Sequence, residues 1–363
     1  MTGDRAIRIG MVGSGFMAQQ HSAAYHLLPV VHGSAVPRVE LKRIAGGSRV
    51  QSAARHYGWR EAADDWRAVT EADDIDVVDI VTPNDTHARL TISAARHGKQ
   101  VICEKPLARD YAEALAMQEA VRAAGVRATV CFVYRTWPAT QVAKDIVDSG
   151  RLGRVHGYRG HFLHDHFVAH EPTAWRFDPA RAGSGVIGDI GSHALDLARH
   201  LVGDVAEVFT TSRTVLPAGP VPIDDEADVL LRFADGATGH LWLSWLATGT
   251  PMDVGFHVMG DRGALRFSWT RPAELAVYDA SDPEGARGYT TIPLGPDHPP
   301  AAPYLPLAGA GIGYQESFVE LLALFLGGSD TGPAFDDGVT INGYLDATLR
   351  SARTQRWEPV SGP

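Results

Sequence analysis

Residues 6–18 set the first constraint on what this chain can become. Ala6-Ile7-Arg8-Ile9-Gly10-Met11-Val12 is a sheet-friendly run, and Gly13-Ser14-Gly15-Phe16-Met17-Ala18 follows in the pattern G-x-G-x-x-A. The pattern predicts a strand, a tight turn at Gly13, and a helix. Gly15 lets backbone approach a pyrophosphate, and Ala18 lets the helix pack closely on the sheet. The free N–H groups at the helix start then face the phosphates. Met17, His21, Ala24, Tyr25 and Leu28 recur at helical spacing behind them. A strand before, a helix after and a position at the N-terminus give the match its weight.

The alternation continues. A long loop, Pro29 to Arg38, leads to a strand at Val39 to Ala45. The next residues are Gly46-Gly47-Ser48-Arg49, with no acid to hold a ribose 2′-hydroxyl. A serine and an arginine suit a 2′-phosphate, so NADP is favoured over NAD; the plainer alternative is a helix start with Ser48 as its cap. Ile75 to Val81 is the next strand, and Thr82-Pro83-Asn84-Asp85-Thr86-His87 is its exit loop. Asn84 is a candidate for the cofactor side, whereas His87 is as well explained by packing. A helix from Thr86 to His97 ends at Gly98. Val101-Ile102-Cys103-Glu104-Lys105-Pro106 then reads as a buried strand stopped by proline, which leaves Lys105 at the carboxyl edge where open α/β sheets bind ligands. A helix from Asp110 to Ala124 and a strand from Arg127 to Tyr134 complete a parallel, doubly wound sheet.

Composition narrows the class. The 363 residues are 45% apolar, ample for two cores, and the net charge of −10 with no basic stripe argues against nucleic acid. No apolar run reaches the ~18 residues of a membrane span, so no membrane partner is expected. The N-terminal residues show no signal-peptide core, and the two cysteines, Cys103 and Cys131, lie among apolar strand residues. A cytoplasmic protein with buried thiols is the expectation.

The second half changes regime at Tyr134-Arg135-Thr136-Trp137-Pro138. After a helix from Ala139 to Ser149, strands follow one another at 154–167, 205–215, 226–233, 238–246, 254–259 and 264–268. Asp235-Gly236 and Asp261-Arg262-Gly263 are hairpin signals. Such a succession predicts an α+β domain with a large open, mostly antiparallel sheet. Residues 282–313, rich in Pro and Gly, read as an ordered loop or lid, and helices at 314–326 and 338–353 close the chain. The expected division is 1–135 for the dinucleotide domain and 136–363 for substrate binding and oligomerisation.

Two stretches here carry chemistry. His161-Phe162-Leu163-His164-Asp165-His166, as a strand, puts His164 and His166 on one face and His161 and Asp165 on the other. That split matches no metal spacing, so no metal is expected, and a polar face for a polyhydroxyl ligand fits better. Gly183-Ser184-Gly185-Val186-Ile187-Gly188-Asp189-Ile190-Gly191-Ser192-His193 is a glycine-rich loop running into a helix. Asp189 and His193, four apart, share a helix face and suit an oriented general base. Taken singly, Asp189 is also explained as an N-cap and His193 as a packed histidine, and Asp196 reads as structural.

These stretches together resemble the glucose–fructose oxidoreductase / inositol dehydrogenase / MocA (Gfo/Idh/MocA) family over nearly the whole chain. The likeness rests on Ile9 to Ala18 with His21, Val81 to Asn84 with His87, Glu104-Lys105-Pro106, and Gly183 through His193 with Asp196. The long first loop, Trp175-Arg176-Phe177 and Gly311-Ile312-Gly313-Tyr314 look most like its levoglucosan dehydrogenase branch. The resemblance implies a Rossmann domain joined to an open-sheet domain, the active site between them, Lys105, Asp189 and His193 as the catalytic group, and a homodimer or homotetramer formed through the sheet's outer face. One departure is Val133, where the family often has asparagine. The Ser48-Arg49 pair looks like the family's NADP users, whereas levoglucosan and inositol enzymes typically take NAD.

The expected cofactor contacts are Gly13, Gly15, Phe16, Met17, Ser48 and Arg49 from the first turns, Thr82, Pro83, Asn84 and His87 from the fourth-strand exit, and Glu104, Lys105 and Arg135. The expected sugar contacts are Lys105, Tyr134, His164, Asp165, Trp175, Arg176, Asp189 and His193. The expected reaction is NAD(P)-dependent interconversion of a ring secondary alcohol and ketone on a sugar, sugar derivative or cyclitol. The competing readings are an NAD-dependent glycosidase or eliminase with transient oxidation, and a non-enzymic sugar-sensing regulator of the same fold.

Overall fold

The computed structural model describes residues 5–168, 175–216 and 223–360. The chain separates into two compact units, Met1–Thr136 with Tyr314–Val339, and Trp137–Gly313 with Thr340–Pro363. The segment 314–339, placed with the second domain by sequence, thus groups with the first unit.

The first unit is built on β1 (Ile7–Val12), β2 (Val39–Ala45), β3 (Glu61–Ala63), β4 (Val77–Ile80), β5 (Gln100–Cys103) and β6 (Ala128–Val130). All pair in parallel, in the order β3-β2-β1-β4-β5-β6. That order reverses between β1 and β4, which makes the edge beside Gly13 the switch point where such sheets take ligands. β4 is buried at every position, and Ile9 and Met11 of β1 are fully buried, as strands covered on both faces must be. The intervening helices are α1 (Phe16–Val31), α2 (Val50–Tyr57), α3 (Arg67–Thr70), α4 (His87–Arg96) and α5 (Tyr111–Ala124). Asp110 caps α5 by accepting the Glu113 N–H at 2.8 Å, and Gly125 ends it at φ +62°.

The second unit carries α6 (Pro138–Asp148) and a nine-stranded sheet in the order β14-β13-β12-β11-β7-β10-β9-β8-β15. Its strands are β7 (Val155–Leu163), β8 (Val205–Arg213), β9 (Glu226–Phe233), β10 (Thr238–Ser244), β11 (Asp253–Gly260), β12 (Gly263–Ser268), β13 (Glu274–Asp279), β14 (Thr290–Pro293) and β15 (Glu358–Pro359). Only the central β7–β10 pair is parallel; the other ladders are antiparallel. Three further helical pieces, α7 (Pro179–Ala182), α8 (Val186–Asp189) and α9 (Gly191–Leu201), lie between β7 and β8 in sequence. α10 (Tyr314–Leu326) packs on α1, where Gln315 Nε2 donates to the Gln20 carbonyl at 2.7 Å. α11 (Phe335–Thr354) follows.

Several boundaries differ from the sequence expectation. α1 runs through Pro29 to Val31, and the His32 N–H donating to the Leu28 carbonyl at 2.9 Å closes it beyond the proline. β6 stops at Val130, and residues 131–136 coil through turns closed by Arg135 N–H to Phe132 O at 3.0 Å and Thr136 N–H to Val133 O at 3.2 Å. The apolar run there reported burial, which a buried turn satisfies as well as a strand. β7 ends at Leu163, β3, α3 and β13 are additional elements, and β14 extends the sheet into the stretch expected to be loop or lid. No helix among the described residues is long and apolar enough to cross a membrane.

Candidate active site

The first unit offers a nucleotide cradle. Gly13 sits at φ +121°, and a Cβ there would lie 2.7 Å from the Val81 carbonyl oxygen, so both the turn and the β4 neighbour demand glycine. At Gly15 a Cβ would meet no protein atom within 4 Å. The space it leaves is therefore open to a ligand at the head of α1. A groove of about 580 Å³ lies there, lined by Gly15, Phe16, Gln19, Arg49, His56 and Tyr57 among others. Phe16 is 64% exposed on its wall. Gly46 and Gly47 both adopt φ +85°, and a Cβ on Gly47 would press on Ser14 Oγ at 2.5 Å, so the end of β2 bends close over the first turn. Arg49, not Ser48, precedes α2 as its cap residue and lines the groove; Ser48 is exposed and does not cap the helix. This cradle fits a dinucleotide: open backbone at a helix start, a cation beside it, and no acid at the end of β2.

The exits of β4 and β5 are braced against each other. Thr82 and Pro83 lead into a turn at Asn84–Thr86, where Thr86 Oγ1 donates to Thr82 Oγ1 at 2.5 Å. Asn84 is buried. His87, expected at the cofactor, is fully buried: Nε2 lies 2.9 Å from the Thr82 carbonyl and Nδ1 3.1 Å from the Pro106 carbonyl. Burial holds its pKa below the usual histidine value. Its work is to staple one exit loop to the other. Lys105, half-buried, begins the turn after β5, and its peptide bond to Pro106 is cis.

Behind Lys105 runs a buried row of polar side chains. Glu104 Oε2 accepts the Lys105 backbone N–H at 3.0 Å, and Glu104 Oε1 lies 3.0 Å from His21 Nε2. His21 Nδ1 lies 2.9 Å from Asp79 Oδ2, which also accepts the Tyr25 hydroxyl at 3.0 Å. Burial opposes charge on His21, but the two carboxylates prevail and hold its pKa well above normal. Burial likewise opposes charge on Glu104, and the His21 contact prevails, keeping that carboxyl below its usual range. His21, Glu104 and Cys131 are close enough together to suggest a metal. The chemistry disagrees, because both imidazole nitrogens are committed to carboxylates. Sequence reading named Glu104 and His21 but not their connection, since Asp79 reaches them only through the parallel sheet.

Arg135 and Tyr134 also belong to this unit. Arg135 is buried, and its Nη1 donates to Asp337 Oδ2 at 2.7 Å. Tyr134 is buried with its ring 6.3 Å from that of Tyr314.

In the second unit, the glycine loop is shaped by close approaches. A Cβ on Gly185 would lie 1.9 Å from the Asp224 carbonyl oxygen. Asp224 accepts the Gly185 N–H at 2.8 Å and the Ile187 N–H at 2.7 Å, which anchors the turn α8. Asp189 closes α8, and Ile190, not Asp189, caps α9. The acid and His193 therefore sit on two helical pieces that meet at Ile190, rather than in the first turns of one helix. His193 is 5% exposed, with its ring 6.0 Å from Phe162. Arg176 Nε lies 3.5 Å from Asp189 Oδ1, and its guanidinium stacks 4.6 Å over Trp175. Expected as sugar contacts, Trp175 and Arg176 thus form a cationic pair next to the acid, a link that spacing alone does not reveal.

The histidine cluster divides much as its alternation suggests, although the strand ends before it does. His161, on β7, places Nε2 3.0 Å from Asp253 Oδ2. His164 and His166 stack at 4.5 Å beyond the strand, and His164 lies 6.5 Å from the same Phe162 that flanks His193. Asp165 accepts the Gly249 N–H at 3.0 Å, which employs it in loop structure. Asp196 is buried one turn beyond His193.

Comparison with known proteins places these two units in one family. Residues 7–132 match the model described as oxidoreductase family, NAD-binding Rossmann fold, and residues 140–266 match the GFO/IDH/MocA C-terminal domain. The levoglucosan dehydrogenase of Pseudarthrobacter phenanthrenivorans is 35% identical, with 98% of each chain covered. The inositol 2-dehydrogenase of Rhizobium meliloti is 27% identical over 96% of this chain and 98% of its own. A solved levoglucosan dehydrogenase in complex with NADH and levoglucosan superposes with a TM-score of 0.95 at 36% identity, covering 99% of this chain and all of that one. With a six-stranded Rossmann sheet, a nine-stranded second sheet and full-length likeness to sugar and cyclitol dehydrogenases, the chain is an oxidoreductase of the Gfo/Idh/MocA family.

Proposed function

We propose that this protein oxidises a ring secondary alcohol on a sugar, sugar derivative or cyclitol. His193 takes the hydroxyl proton, and Asp189 orients the ring and stabilises its cationic form. Lys105 donates a hydrogen bond to the same oxygen and steadies the charge that develops on it. NAD(P), when bound, supplies the hydride acceptor. Trp175 with Arg176, His164, Asp165 and Tyr134 hold the hydroxyl-bearing ring. The observation that carries the reading is the full-length likeness to an enzyme solved with NADH and levoglucosan, in a chain that has Lys105, Asp189 and His193.

The finer cofactor reading is NADP over NAD. Arg49 at the groove and the absence of an acid after β2 support it, while the relatives solved with NADH weigh on the other side. We also place the protein in the cytoplasm, where its two buried free cysteines stay reduced, and assign it a homodimer or homotetramer. Exposed Leu230 and Trp242 on adjacent strands of the large sheet support an assembly surface there, which light scattering checks.

The test is a panel of monosaccharides, anhydrosugars, glycosides and inositols, each supplied with NAD and with NADP. Growth of reduced-nicotinamide absorbance with one class of sugar is expected. Release of an aglycone without reduced cofactor points instead to transient oxidation, and silence across the panel removes the dehydrogenase reading.

A further inference from the structure

Three ionisable side chains stand in a line behind β5 with almost no access to water. Asp79 and His21 are 0% and 1% exposed and Glu104 is 5% exposed. Burying ions is costly unless the partners are well placed. Here they are: Asp79 to His21 at 2.9 Å, His21 to Glu104 at 3.0 Å, and Glu104 to the Lys105 amide at 3.0 Å. An imidazole between two carboxylates satisfies both only when both nitrogens carry protons. The charges then alternate along the line: negative Asp79, positive His21, negative Glu104, positive Lys105. The first three sum to one negative charge, placed directly behind the lysine. Lys105 is among the groups that hold the Glu104 carboxyl below its usual range, after the His21 contact.

A neutral amide or a water would serve the Lys105 N–H at a lower cost in desolvation. What the carboxylate adds is charge and a rigid anchor. We propose that Glu104 and His21 are positioning residues for Lys105: the buried Asp79–His21–Glu104 row fixes the lysine's backbone at the end of β5 and sets a negative charge behind its cation. This rests on the reading that Lys105 touches the reacting oxygen. All the atoms of the row lie within the first unit. Tyr25, whose hydroxyl donates to Asp79 at 3.0 Å, closes the far end.

Three variants of the full chain separate the possibilities: Glu104→Gln, which keeps shape and an acceptor but removes charge, His21→Gln, which breaks the row, and Lys105→Met. Turnover of the panel's best substrate, NADH affinity by fluorescence titration, and Tm are measured for each. For Glu104→Gln and His21→Gln, kcat is expected to fall about ten- to a hundredfold, less than the roughly hundred- to thousandfold loss of a direct transition-state donor, with NADH affinity within about threefold. Lys105→Met is expected to lose turnover and keep NADH binding. Parental turnover in Glu104→Gln, or parallel losses of kcat, NADH affinity and Tm, overturns the positioning role and leaves Lys105 standing. Parental turnover in Lys105→Met overturns the reading of the lysine itself. Should Glu104→Gln and His21→Gln fail to fold, Tyr25→Phe takes their place, because it removes a single donor to Asp79. It should lower kcat about two- to fivefold at unchanged NADH affinity, because the lost bond to the Asp79 carboxylate is felt at Lys105 only through His21 and Glu104, and an unchanged kcat overturns the proposal.

Discussion

Arg135 offers the sharpest single perturbation, because sequence and structure assign it different work. By resemblance it belongs to the cofactor; in the fold its Nη1 donates to Asp337 Oδ2 at 2.7 Å, with side chains 8% and 15% exposed. At that separation and an effective dielectric constant near 20, the gross attraction is about 6 kcal/mol. Desolvation of both groups takes back about half of it or more. With Arg135 removed, the Asp337 carboxylate keeps the Ala334 N–H at 2.8 Å and the first turn of α11, which soften the loss of this cation. The expected cost of Arg135→Met is therefore about 3 kcal/mol, or a fall in Tm of about 6–12 °C for a domain of this size. Calorimetry and NADH titration on the same preparation read both roles. A lower Tm with NADH affinity within about twofold is the expected result. An unchanged Tm with clearly weakened NADH binding refutes the structural assignment and returns Arg135 to the cofactor.

Other consequences are as direct. Arg49→Ala should weaken NADP binding about tenfold or more, the value of a charge-assisted contact, and NAD binding much less; equal losses remove the phosphate argument. Gly185→Ala should cost about 2–3 kcal/mol, because its Cβ meets the Asp224 carbonyl at 1.9 Å, and should lower kcat by moving the turn that carries Asp189; parental Tm and kcat contradict this. Burial raises the Asp224 carboxyl to about 6. A raised carboxyl contributes stability below its unfolded value of about 3.9 and loses it as pH rises through the folded value. Asp224→Asn does not titrate, so its Tm should gain on the parent between pH 4.5 and pH 7.5, and a constant difference refutes the assignment.

Much of the first unit is legible in one dimension because parallel strands buried on both faces need continuous apolar runs. Thus Ile7–Val12 and Val77–Ile80 are visible without a structure, while Val39–Ala45, partly buried and carrying Glu40, Lys42 and Arg43, is placed by its position in the strand–helix alternation. The run after Val130 misleads for the same reason. Cys131 to Tyr134 are buried, and burial does not say whether the backbone is extended or coiled. Short elements such as β3 and β14 carry too few residues for a period to show.

The candidate site divides along similar lines. Lys105, Asp189 and His193 stand out because a proline marks the strand end and glycines mark the loop beside them, but the break between α8 and α9 at Ile190 is not legible from their spacing. Spacing along the chain cannot show that Asp79 meets His21, that Arg176 meets Asp189, or that Asp337 meets Arg135. These pairs are 58, 13 and 202 residues apart, and only strand order and helix packing bring them within reach. Local chemistry is written in adjacent residues, whereas the electrostatic surroundings of each group exist only once distant elements have excluded water from between them.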